Sequence, residues 1–302
     1  MNMTDSIPTE FRCGFAALVG RPNVGKSTLL NALVGKKLSI VTPRPQTTRH
    51  RILGLCHLPN AQIAFVDTPG LHHSESRALN RAMNRTAASA LNDADLCVLV
   101  VEALRWTDED EHALERIRHS QRPAIVVVNK VDKAWPRERL LPYLQDIGAK
   151  FDFAEMVPVS ALKNDYVDAL RETIAKHLPV GEPMYSTEDL TDRGIEFRIS
   201  ETIREKLTLE LNQEVPYGIA VEVEQMEEKE GQLVVDASIW VDREGQKPIV
   251  IGANGERLKR VGRSARLELN TLLNRRVHLA LWVKVREDWA DNARALKHLG
   301  LE

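Results

Sequence analysis

The chain has 302 residues, which predicts about two domains at the usual size of roughly 100–200 residues each. Its composition, 43% hydrophobic and 28% charged, is ordinary for a globular protein, and the formal net charge of −2 excludes a chain that is basic throughout. Any surface for nucleic acid must therefore be local. Residues 1–10 are polar and acidic, and no apolar run approaches the roughly 20 residues that span a bilayer, so we expect a flexible N-terminus and no transmembrane helix.

The three cysteines, Cys13, Cys56 and Cys97, lie far apart in or beside apolar runs. This spacing predicts buried free thiols and disfavours a disulfide framework or a zinc site. Free thiols suit a reducing cytosol, so we expect a cytoplasmic protein.

Residues 11–180 alternate short apolar strands with helical patterns. The predicted strands are Phe15–Val19, Ile52–Cys56, Ile63–Val66, Leu96–Val101, Ile125–Val128 and Met156–Val159. The predicted helices are Ser27–Val34, Arg77–Ala90, Glu109–His119, Glu138–Gln145 and Tyr166–His177. This alternation predicts an α/β domain with a mostly parallel sheet and flanking helices, in which ligands bind at the carboxyl ends of the strands.

The first predicted strand leads into a match to the phosphate-binding pattern G-x-x-x-x-G-K-[ST], namely Gly20-Arg21-Pro22-Asn23-Val24-Gly25-Lys26-Ser27. Backbone N–H groups of such a loop converge on phosphates, and the helix that follows adds favourable partial charge. Lys26 is expected to reach the outer phosphates, and Ser27 to offer its hydroxyl to Mg²⁺. The predicted nucleotide-binding residues continue to Thr28.

The third predicted strand is followed by Asp67-Thr68-Pro69-Gly70. A carboxylate at this strand end can hold Mg²⁺ through water, and the glycine can bring its N–H up to a terminal phosphate. A lone D-x-x-G pattern is weak, but its place after a phosphate loop and directly after a strand makes it specific.

The fifth predicted strand is followed by Asn129-Lys130-Val131-Asp132. A buried aspartate can accept hydrogen bonds from N1–H and the exocyclic amine of guanine, which adenine cannot offer. Alone, such residues are more often a turn and a helix cap, but in this order they predict guanine specificity. Ser160-Ala161-Leu162, at the last strand end, is a weaker pattern that suggests backbone contact to the base.

Between Lys36 and His50, prolines and threonines break the periodicity and predict a loop. Thr47 or Thr48 can offer a hydroxyl to Mg²⁺ when a terminal phosphate holds the loop closed, which would make it a switch. The sequence leaves open which threonine does so, and an ordinary surface loop is the alternative.

The five patterns in this order resemble those of small GTPases of the translation-factor class. Leu71 stands where Ras-like proteins carry the glutamine that orients the attacking water, so slow intrinsic hydrolysis is expected. Related GTPases with a hydrophobic residue there often use a monovalent cation held partly by a P-loop asparagine, and Asn23 matches it. The resemblance thus implies K⁺ beside Mg²⁺ as a cofactor, with Lys26, Thr47, Thr48 and Asn23 as the catalytic candidates.

A proline- and glycine-containing stretch, residues 181–193, predicts a linker to a second domain over residues 194–302. An amphipathic helix is predicted over Asp192–Leu211, with an apolar stripe at Phe197, Ile199, Ile203, Leu207 and Leu211. Strands Tyr217–Gln225 and Leu233–Val241, with a turn at Met226–Gly231, predict a hairpin, and Val277–Val285 predicts a final strand.

Between the hairpin and the final strand lies Gly252-Ala253-Asn254-Gly255, a G-x-x-G turn that opens a basic helix. Such a turn is the clamp of KH domains, where glycines let a nucleic-acid backbone approach closely. Basic residues are concentrated around it, at Lys247, Arg257, Lys259, Arg260, Arg263, Arg266, Arg275, Arg276, Lys284 and Arg286, with only Glu256 and Glu268 as acids between Lys247 and Arg286. This predicts RNA contacts by the clamp together with Arg257, Lys259, Arg260 and Arg263. A solvated helix face is the alternative.

A GTPase of this type followed by a type II KH domain resembles the Era family of bacterial GTPases over nearly the whole chain. Family features appear in order, including Gln46-Thr47-Thr48-Arg49-His50-Arg51, Ile203-Arg204-Glu205-Lys206-Leu207 and Leu281-Trp282-Val283-Lys284-Val285-Arg286. The resemblance implies binding to the 3′ end of small-subunit (16S) ribosomal RNA, a role in maturation of the 30S subunit, and peripheral association with the inner membrane. A monomer is expected. Ala253 replaces the usual clamp lysine, which predicts one phosphate contact fewer.

Two other classes stay open at this stage. An ATP-dependent P-loop kinase would prefer ATP and leaves Asn129–Asp132 without a role. A constitutive RNA-binding protein with a non-hydrolysing nucleotide site would release no phosphate, and Leu71 makes it the harder class to exclude.

Overall fold

The computed structural model describes residues 10–44, 47–70, 77–211 and 218–301. The described residues fall into two compact units. The N-terminal unit comprises those within 1–39, 48–73 and 83–192, and the C-terminal unit those within 40–47, 74–82 and 193–302. Two segments from early in the chain therefore belong with the C-terminal residues.

The N-terminal unit is built on a six-stranded sheet. Its strands are β1 (Arg12–Val19), β2 (Ile52–Leu58), β3 (Ala61–Asp67), β4 (Leu96–Glu102), β5 (Ala124–Asn129) and β6 (Glu155–Pro158), in the order β2-β3-β1-β4-β5-β6. The helices along this stretch of chain are α1 (Lys26–Val34), α2 (Ala78–Asp93), α3 (Asp108–Ser120), α4 (Leu140–Gly148) and α5 (Val167–Lys176). The strand β2 pairs antiparallel with β3, and the other strand pairs are parallel. The predicted mostly parallel α/β sheet is thus confirmed.

The central strands of this sheet are buried almost throughout. The six residues Ala124–Asn129 of β5 are all buried, as are the first six of β4. Helices α1, α3 and α5 pack against the sheet. Strands covered in this way are near-continuous apolar runs, and their first polar residues appear at the carboxyl ends. Asp67, Glu102 and Asn129 are the last residues of their strands, so three polar side chains reach the same edge.

The C-terminal unit has the element order of a KH domain of type II. Helix α6 (Ile195–Glu210) is followed by β7 (Ile219–Lys229), β8 (Gln232–Val241), α7 (Lys247–Ile251), α8 (Glu256–Leu273), β9 (Val277–Val285) and α9 (Ala293–His298). The sheet order is β7-β8-β9, with the first pair antiparallel and the second parallel. Apolar faces of α6 and α8 cover this sheet and form its core with the inward-facing strand residues.

Several boundaries in this unit differ from the predicted ones. The turn predicted at Met226–Gly231 is wrong, because β7 continues to Lys229 and only Glu230 and Gly231, both with positive φ, make the turn. A bulge between Val223 and Gln225 shifts the register with β8, and the pairing of the two strands then continues to Lys229. The first predicted hairpin residue, Tyr217, lies outside the described residues.

The predicted helix over Asp192–Leu211 begins later, at Ile195, with Gly194 as its N-cap. Four of the five predicted stripe residues are fully buried in the core, whereas Phe197 is half-buried beneath the guanidinium of Arg193. The terminal helix α9 was not predicted.

The expectation about the cysteines is confirmed in the described part of the chain. The three cysteines are buried free thiols, and burial raises the pKa of each. None of the described helices combines the length and the apolar character needed to cross a bilayer.

The core of the C-terminal unit can be tested on α6. We expect Ile203→Ala to lower the free energy of unfolding by roughly 2–5 kcal/mol, because Ile203 is 0% exposed and the shortened side chain leaves a cavity. Leu209→Ala, in the same helix but 49% exposed, should change it by less than about 0.5 kcal/mol. Urea unfolding of the full chain, followed by circular dichroism, measures both. Equal effects would contradict the assigned helix faces.

Candidate nucleotide and RNA sites

The phosphate loop lies between β1 and α1, as the sequence predicted, and Lys26 is its buried cation. Its Nζ donates hydrogen bonds to the carbonyls of Gly20 at 2.8 Å and Arg21 at 3.0 Å. Burial lowers the pKa of Lys26 to about 8, although the nearby carboxylate of Asp67 opposes the shift. The lysine is thus held at the loop by backbone carbonyls and has a carboxylate close by.

Asp67, at the end of β3, joins three hydroxyl groups. Its Oδ2 accepts from Ser27 Oγ at 2.9 Å, from Ser39 Oγ at 3.0 Å and from Thr48 Oγ1 at 3.5 Å. Its Oδ1 is buried and has no hydrogen-bond partner among the residues that the structure describes. Burial raises the pKa of this carboxyl, while Lys26 and the hydroxyls oppose the increase. An oxygen-only cluster with one uncommitted carboxylate oxygen fits a hard divalent cation such as Mg²⁺.

The structure separates the two candidate threonines. Thr48 Oγ1 lies 2.7 Å from Ser27 Oγ, inside the Asp67 cluster. The hydroxyl of Thr47 instead lies 2.6 Å from Thr42 Oγ1 and donates to the carbonyl of Arg44 at 2.7 Å. The geometry favours Thr48 as the residue that can reach a cation bound at Ser27.

Sequence reasoning missed Ser39. It is fully buried, and its backbone is fixed by Asn31, whose Oδ1 accepts from Ser39 N at 2.9 Å and whose Nδ2 donates to Ser39 O at 2.7 Å. A single serine in an aperiodic loop gives no local signal, because the contact with Asp67 spans 28 residues. Only the tertiary structure shows it.

Asn129 connects the phosphate loop with the last predicted pattern. Its Nδ2 donates to Val24 O at 2.9 Å, and its Oδ1 accepts from Ala161 N at 3.0 Å and Lys130 N at 2.8 Å. The amide therefore brings together three segments that are far apart in sequence. In this structure Ala161 N is engaged with Asn129, and Leu162 is exposed.

Asp132 lies at the rim of the site. A buried carboxylate was expected here, but Asp132 is exposed, because it lies on a single 3-10 turn, Val131–Lys133, beyond the end of β5. Ser160 Oγ donates to its Oδ1 at 2.6 Å and fixes the carboxylate. Ser160 thus positions the group predicted to read guanine.

Gly70 packs closely against Pro22 of the phosphate loop. A Cβ at this position would lie 3.0 Å from Pro22 Cγ and 3.3 Å from the Pro22 backbone, so a side chain here would press on the loop. Thr68 Oγ1 donates to Leu18 O at 2.9 Å and anchors the same segment to β1. Leu71, which decides the prediction of slow hydrolysis, lies outside the described residues, as does Gln46.

In the C-terminal unit the G-x-x-G turn joins α7 to α8. Gly252 has φ 75° and ψ 171°, and a Cβ there would lie 2.7 Å from Arg257 Cβ, so a side chain is excluded on both grounds. Ala253 and Asn254 are exposed at the tip of the turn. The tip of this turn is therefore accessible from solvent, as a clamp for a sugar–phosphate backbone requires.

The basic residues after the turn differ in their contacts. Lys259, Arg260 and Arg263 are exposed on α8. Lys259 lies 3.5 Å from Glu256, and Arg260 forms an ion pair with Glu210 at 3.0 Å. Arg257 donates to the carbonyl of Ile249, in the middle of α7, and its Nε is buried and has no hydrogen-bond partner among the described residues. Arg257 therefore supports the turn from within.

Comparison with known proteins places both units in described families. One family model, described as a 50S ribosome-binding GTPase, matches residues 15–130, and the KH domain model matches residues 214–290. The chain is 50% identical over 292 residues to the GTPase Era of Marinobacter nauticus, covering 97% of this chain and 96% of that protein. It is 46% identical over 300 residues to the GTPase Era of Pseudomonas putida, covering 99% of each.

Solved structures give the same result. A crystal structure of Era in complex with MgGDPNP and nucleotides 1506–1542 of 16S ribosomal RNA has a TM-score of 0.93 and 41% identity, covering 96% of this chain and 99% of that one. Aquifex aeolicus Era bound to GDP and AlF4⁻ gives a TM-score of 0.92 at 40% identity, with the same coverage.

The two threonines provide a matched test of the Asp67 cluster. We expect Thr48→Ala to raise the Mg²⁺ concentration for half-maximal GTP hydrolysis by roughly tenfold, since it removes a hydroxyl beside Ser27. Thr47→Ala should change it by less than about twofold, because that hydroxyl bonds within its own loop. Phosphate release measured across a MgCl₂ titration gives the half-maximal Mg²⁺ concentration for each variant. A larger effect of Thr47→Ala would reverse the assignment.

Proposed function

The chain belongs to the Era family of GTPases, and on that premise we propose that it is a switch that couples GTP hydrolysis to binding of small-subunit ribosomal RNA. The proposed RNA target is the 3′ region of 16S ribosomal RNA, bound through the KH domain, and the proposed role is maturation of the 30S subunit. One observation carries the proposal: a single chain combines a cluster of hydroxyls on Asp67 behind a phosphate loop with an exposed G-x-x-G turn before a basic helix.

Membership in the family decides between the classes that the sequence left open. The protein is a GTPase, which excludes both the ATP-dependent kinase and the RNA-binding protein without hydrolysis. The proposed guanine contact is the carboxylate of Asp132, held by Ser160, with Asn129 organising the surrounding backbone.

We propose Mg²⁺ as the resident cofactor, held by the hydroxyls of Ser27 and Thr48 and by Asp67 through water. Support comes from the uncommitted, buried Oδ1 of Asp67 and from the oxygen-only donor set around it. The cation would supply charge that neutralises the β- and γ-phosphates of GTP. The chain's own part is to keep the hydroxyls and the carboxylate at hydrogen-bond distance before the nucleotide arrives.

We also propose a K⁺ ion as a second cation, with Asn23 as a ligand. The support is the sequence position of Asn23 in the loop, its exposed side chain and the presence of Leu71 in place of a glutamine. A leucine cannot orient water, so intrinsic hydrolysis should be slow and should depend on added positive charge.

The loop after α1 offers a route from nucleotide to RNA. Within the C-terminal unit, Val41 N donates to Glu205 Oε1 at 2.9 Å, Arg44 Nη2 donates to Leu211 O at 2.6 Å, and Arg204 donates to the carbonyl of Thr47. The next residue in the chain, Thr48, belongs to the Asp67 cluster. We therefore infer that nucleotide exchange beside Asp67 alters the conformation of residues 40–44 and 47, which are hydrogen-bonded to α6 of the KH domain.

We propose a cytoplasmic location with peripheral contact to the inner membrane. Three buried thiols suit a reducing compartment, and peripheral contact with the inner membrane is implied by family resemblance. Co-sedimentation of the protein with vesicles of bacterial inner-membrane lipids tests that contact, and absence of binding would remove it.

The cation proposal predicts faster GTP hydrolysis in KCl than in NaCl at equal ionic strength, by roughly tenfold or more. Asn23→Ala should abolish the difference, because it removes a ligand of K⁺. Phosphate release measured at fixed, saturating Mg²⁺ provides the comparison. Equal rates in the two salts, unchanged by Asn23→Ala, would rule out the role of K⁺.

The switch proposal predicts that affinity for an RNA with the 3′-terminal sequence of 16S ribosomal RNA differs between the GDP and GDPNP states by roughly fivefold or more. Lys259→Ala and Arg263→Ala should each weaken RNA binding and reduce the slope of log affinity against log salt by about 1.

The control is Lys229→Ala, an exposed cation at the end of β7 and away from the G-x-x-G turn, which should leave both quantities unchanged. Fluorescence anisotropy with labelled RNA measures all four proteins. Equal affinities in the two nucleotide states would refute nucleotide control, and equal effects of Lys229→Ala and Lys259→Ala would refute the assigned RNA face.

A further inference from the structure

The side chain of Arg21, the second residue of the phosphate loop, points into the protein. It is 6% exposed, and its Nε donates to Asp110 Oδ2 at 3.0 Å while its Nη2 donates to Glu102 Oε2 at 2.8 Å. A guanidinium held by two carboxylates in this way has its charge and most of its donors committed. Arg21 thus anchors the loop from behind.

Asp110 is a fixed end of this anchor. It is the third residue of α3, and the same Oδ2 also accepts from Thr107 N at 3.0 Å, as part of the capping box of this helix, and from Thr107 Oγ1 at 2.9 Å. Its side chain is 0% exposed, and burial raises the pKa of the carboxyl although Arg21 opposes the increase. The N-terminus of α3 therefore holds Asp110 in place.

Glu102 is the second carboxylate, and it contacts two cations. It ends β4 directly beside Asn129 of β5. One oxygen accepts from Arg21, and the other lies 3.1 Å from Lys130 Nζ. Lys130 Nζ in turn donates to Asn23 O at 2.7 Å. Burial alone would raise the pKa of Glu102, but the hydrogen bonds from Arg21 and Lys130 outweigh it and hold the pKa below its ordinary value.

We propose that Glu102 is a positioning residue for guanine-nucleotide binding. Its carboxylate bridges Arg21 in the phosphate loop and Lys130 beside the base, and it thereby keeps the loop in its binding conformation before the nucleotide arrives. The bridge connects the phosphate end of the site with the base end through one side chain that touches neither. This inference rests on the nucleotide site proposed above.

Coulomb interaction and positioning predict opposite outcomes when this carboxylate is neutralised. Phosphates are anions, so removing a nearby negative charge without any other change would tighten nucleotide binding. If Glu102 acts by holding Arg21 and Lys130, its removal leaves two cations without their shared partner and a looser loop, and binding weakens. The direction of the change therefore separates the two explanations.

The experiment compares Glu102→Gln with the unaltered chain, using fluorescent mant-GDP and mant-GDPNP in saturating Mg²⁺. We expect the dissociation constants for both nucleotides to rise together by roughly tenfold, mainly through faster dissociation in stopped flow. In steady-state hydrolysis KM should rise by a similar factor while kcat falls by less than twofold, since Glu102 does not reach the phosphates. Glutamine has nearly the same shape, and Glu102 is partly exposed, so the fold should be retained.

Glu109→Gln is the matched control. Its charge lies close enough to Lys26 to raise the pKa of that lysine, but the hydrogen bonds of the Arg21 side chain go to Glu102, Asp110 and the Pro22 carbonyl. Neutralising Glu109 should leave mant-GDP binding unchanged or tighten it slightly. Weakening as large as that of Glu102→Gln would show a general charge effect and overturn the inference.

A double variant tests the bridge itself. If Glu102 acts in part through Arg21, Glu102→Gln should weaken mant-GDP binding by no more than about threefold in an Arg21→Gln background. The full tenfold effect in that background, or tighter binding by Glu102→Gln alone, overturns the inference. Failure of the nucleotide site itself would appear differently, as an unaltered chain that binds no mant-GDP.

Discussion

Asp67 is a carboxylate with almost no access to solvent, and a buried charge must be compensated inside the protein. One of its oxygens accepts from Ser27, Ser39 and Thr48, and Lys26 lies near enough to oppose the effect of burial on its pKa. These donors come from α1, from Ser39 in the loop after it and from Thr48, four residues before β2. Compensation of one charge therefore fixes three segments around the end of β3, and the remaining oxygen is left for a cation.

The cations around the phosphate loop form two groups, which differ in whether backbone carbonyls or carboxylates bind them. Lys26 lies at the loop, held by backbone carbonyls, and can exchange those contacts for phosphate oxygens. Arg21 and Lys130 are held by Glu102 behind it. A phosphate site needs cations that reach the ligand and cations that hold the loop in shape. The second kind does not compete for the phosphates when carboxylates of the protein already bind it.

The candidate phosphate contacts of the C-terminal unit differ from those of the phosphate loop. Its G-x-x-G turn has an exposed tip at Ala253 and Asn254 and no side chain at Gly252, and Arg257 lies inside the turn, where it donates to the carbonyl of Ile249 in α7. The cations left for a polynucleotide are the exposed ones on α8, such as Arg263. Four glutamates of the unit lie on the separate strand β7, whereas α8 carries only Glu256 and Glu268 among its basic residues, so a chain of nearly neutral total charge still has one basic helix.

The sequence by itself determined the mostly parallel sheet, the KH element order and the order of the nucleotide-binding patterns, because apolar periodicity, glycines and strand-end polar residues are local signals. It misplaced the hairpin turn, since the bulge after Val223 depends on pairing with β8. It left Thr47 and Thr48 undecided, and it gave no sign of Ser39 or of the bridge at Glu102. The contacts of Ser39 and Glu102 join residues 28 to 81 positions apart, and no local pattern encodes them. Only the folded sheet, which brings the ends of β3, β4 and β5 to one edge, decides which hydroxyls meet Asp67 and which cations share Glu102.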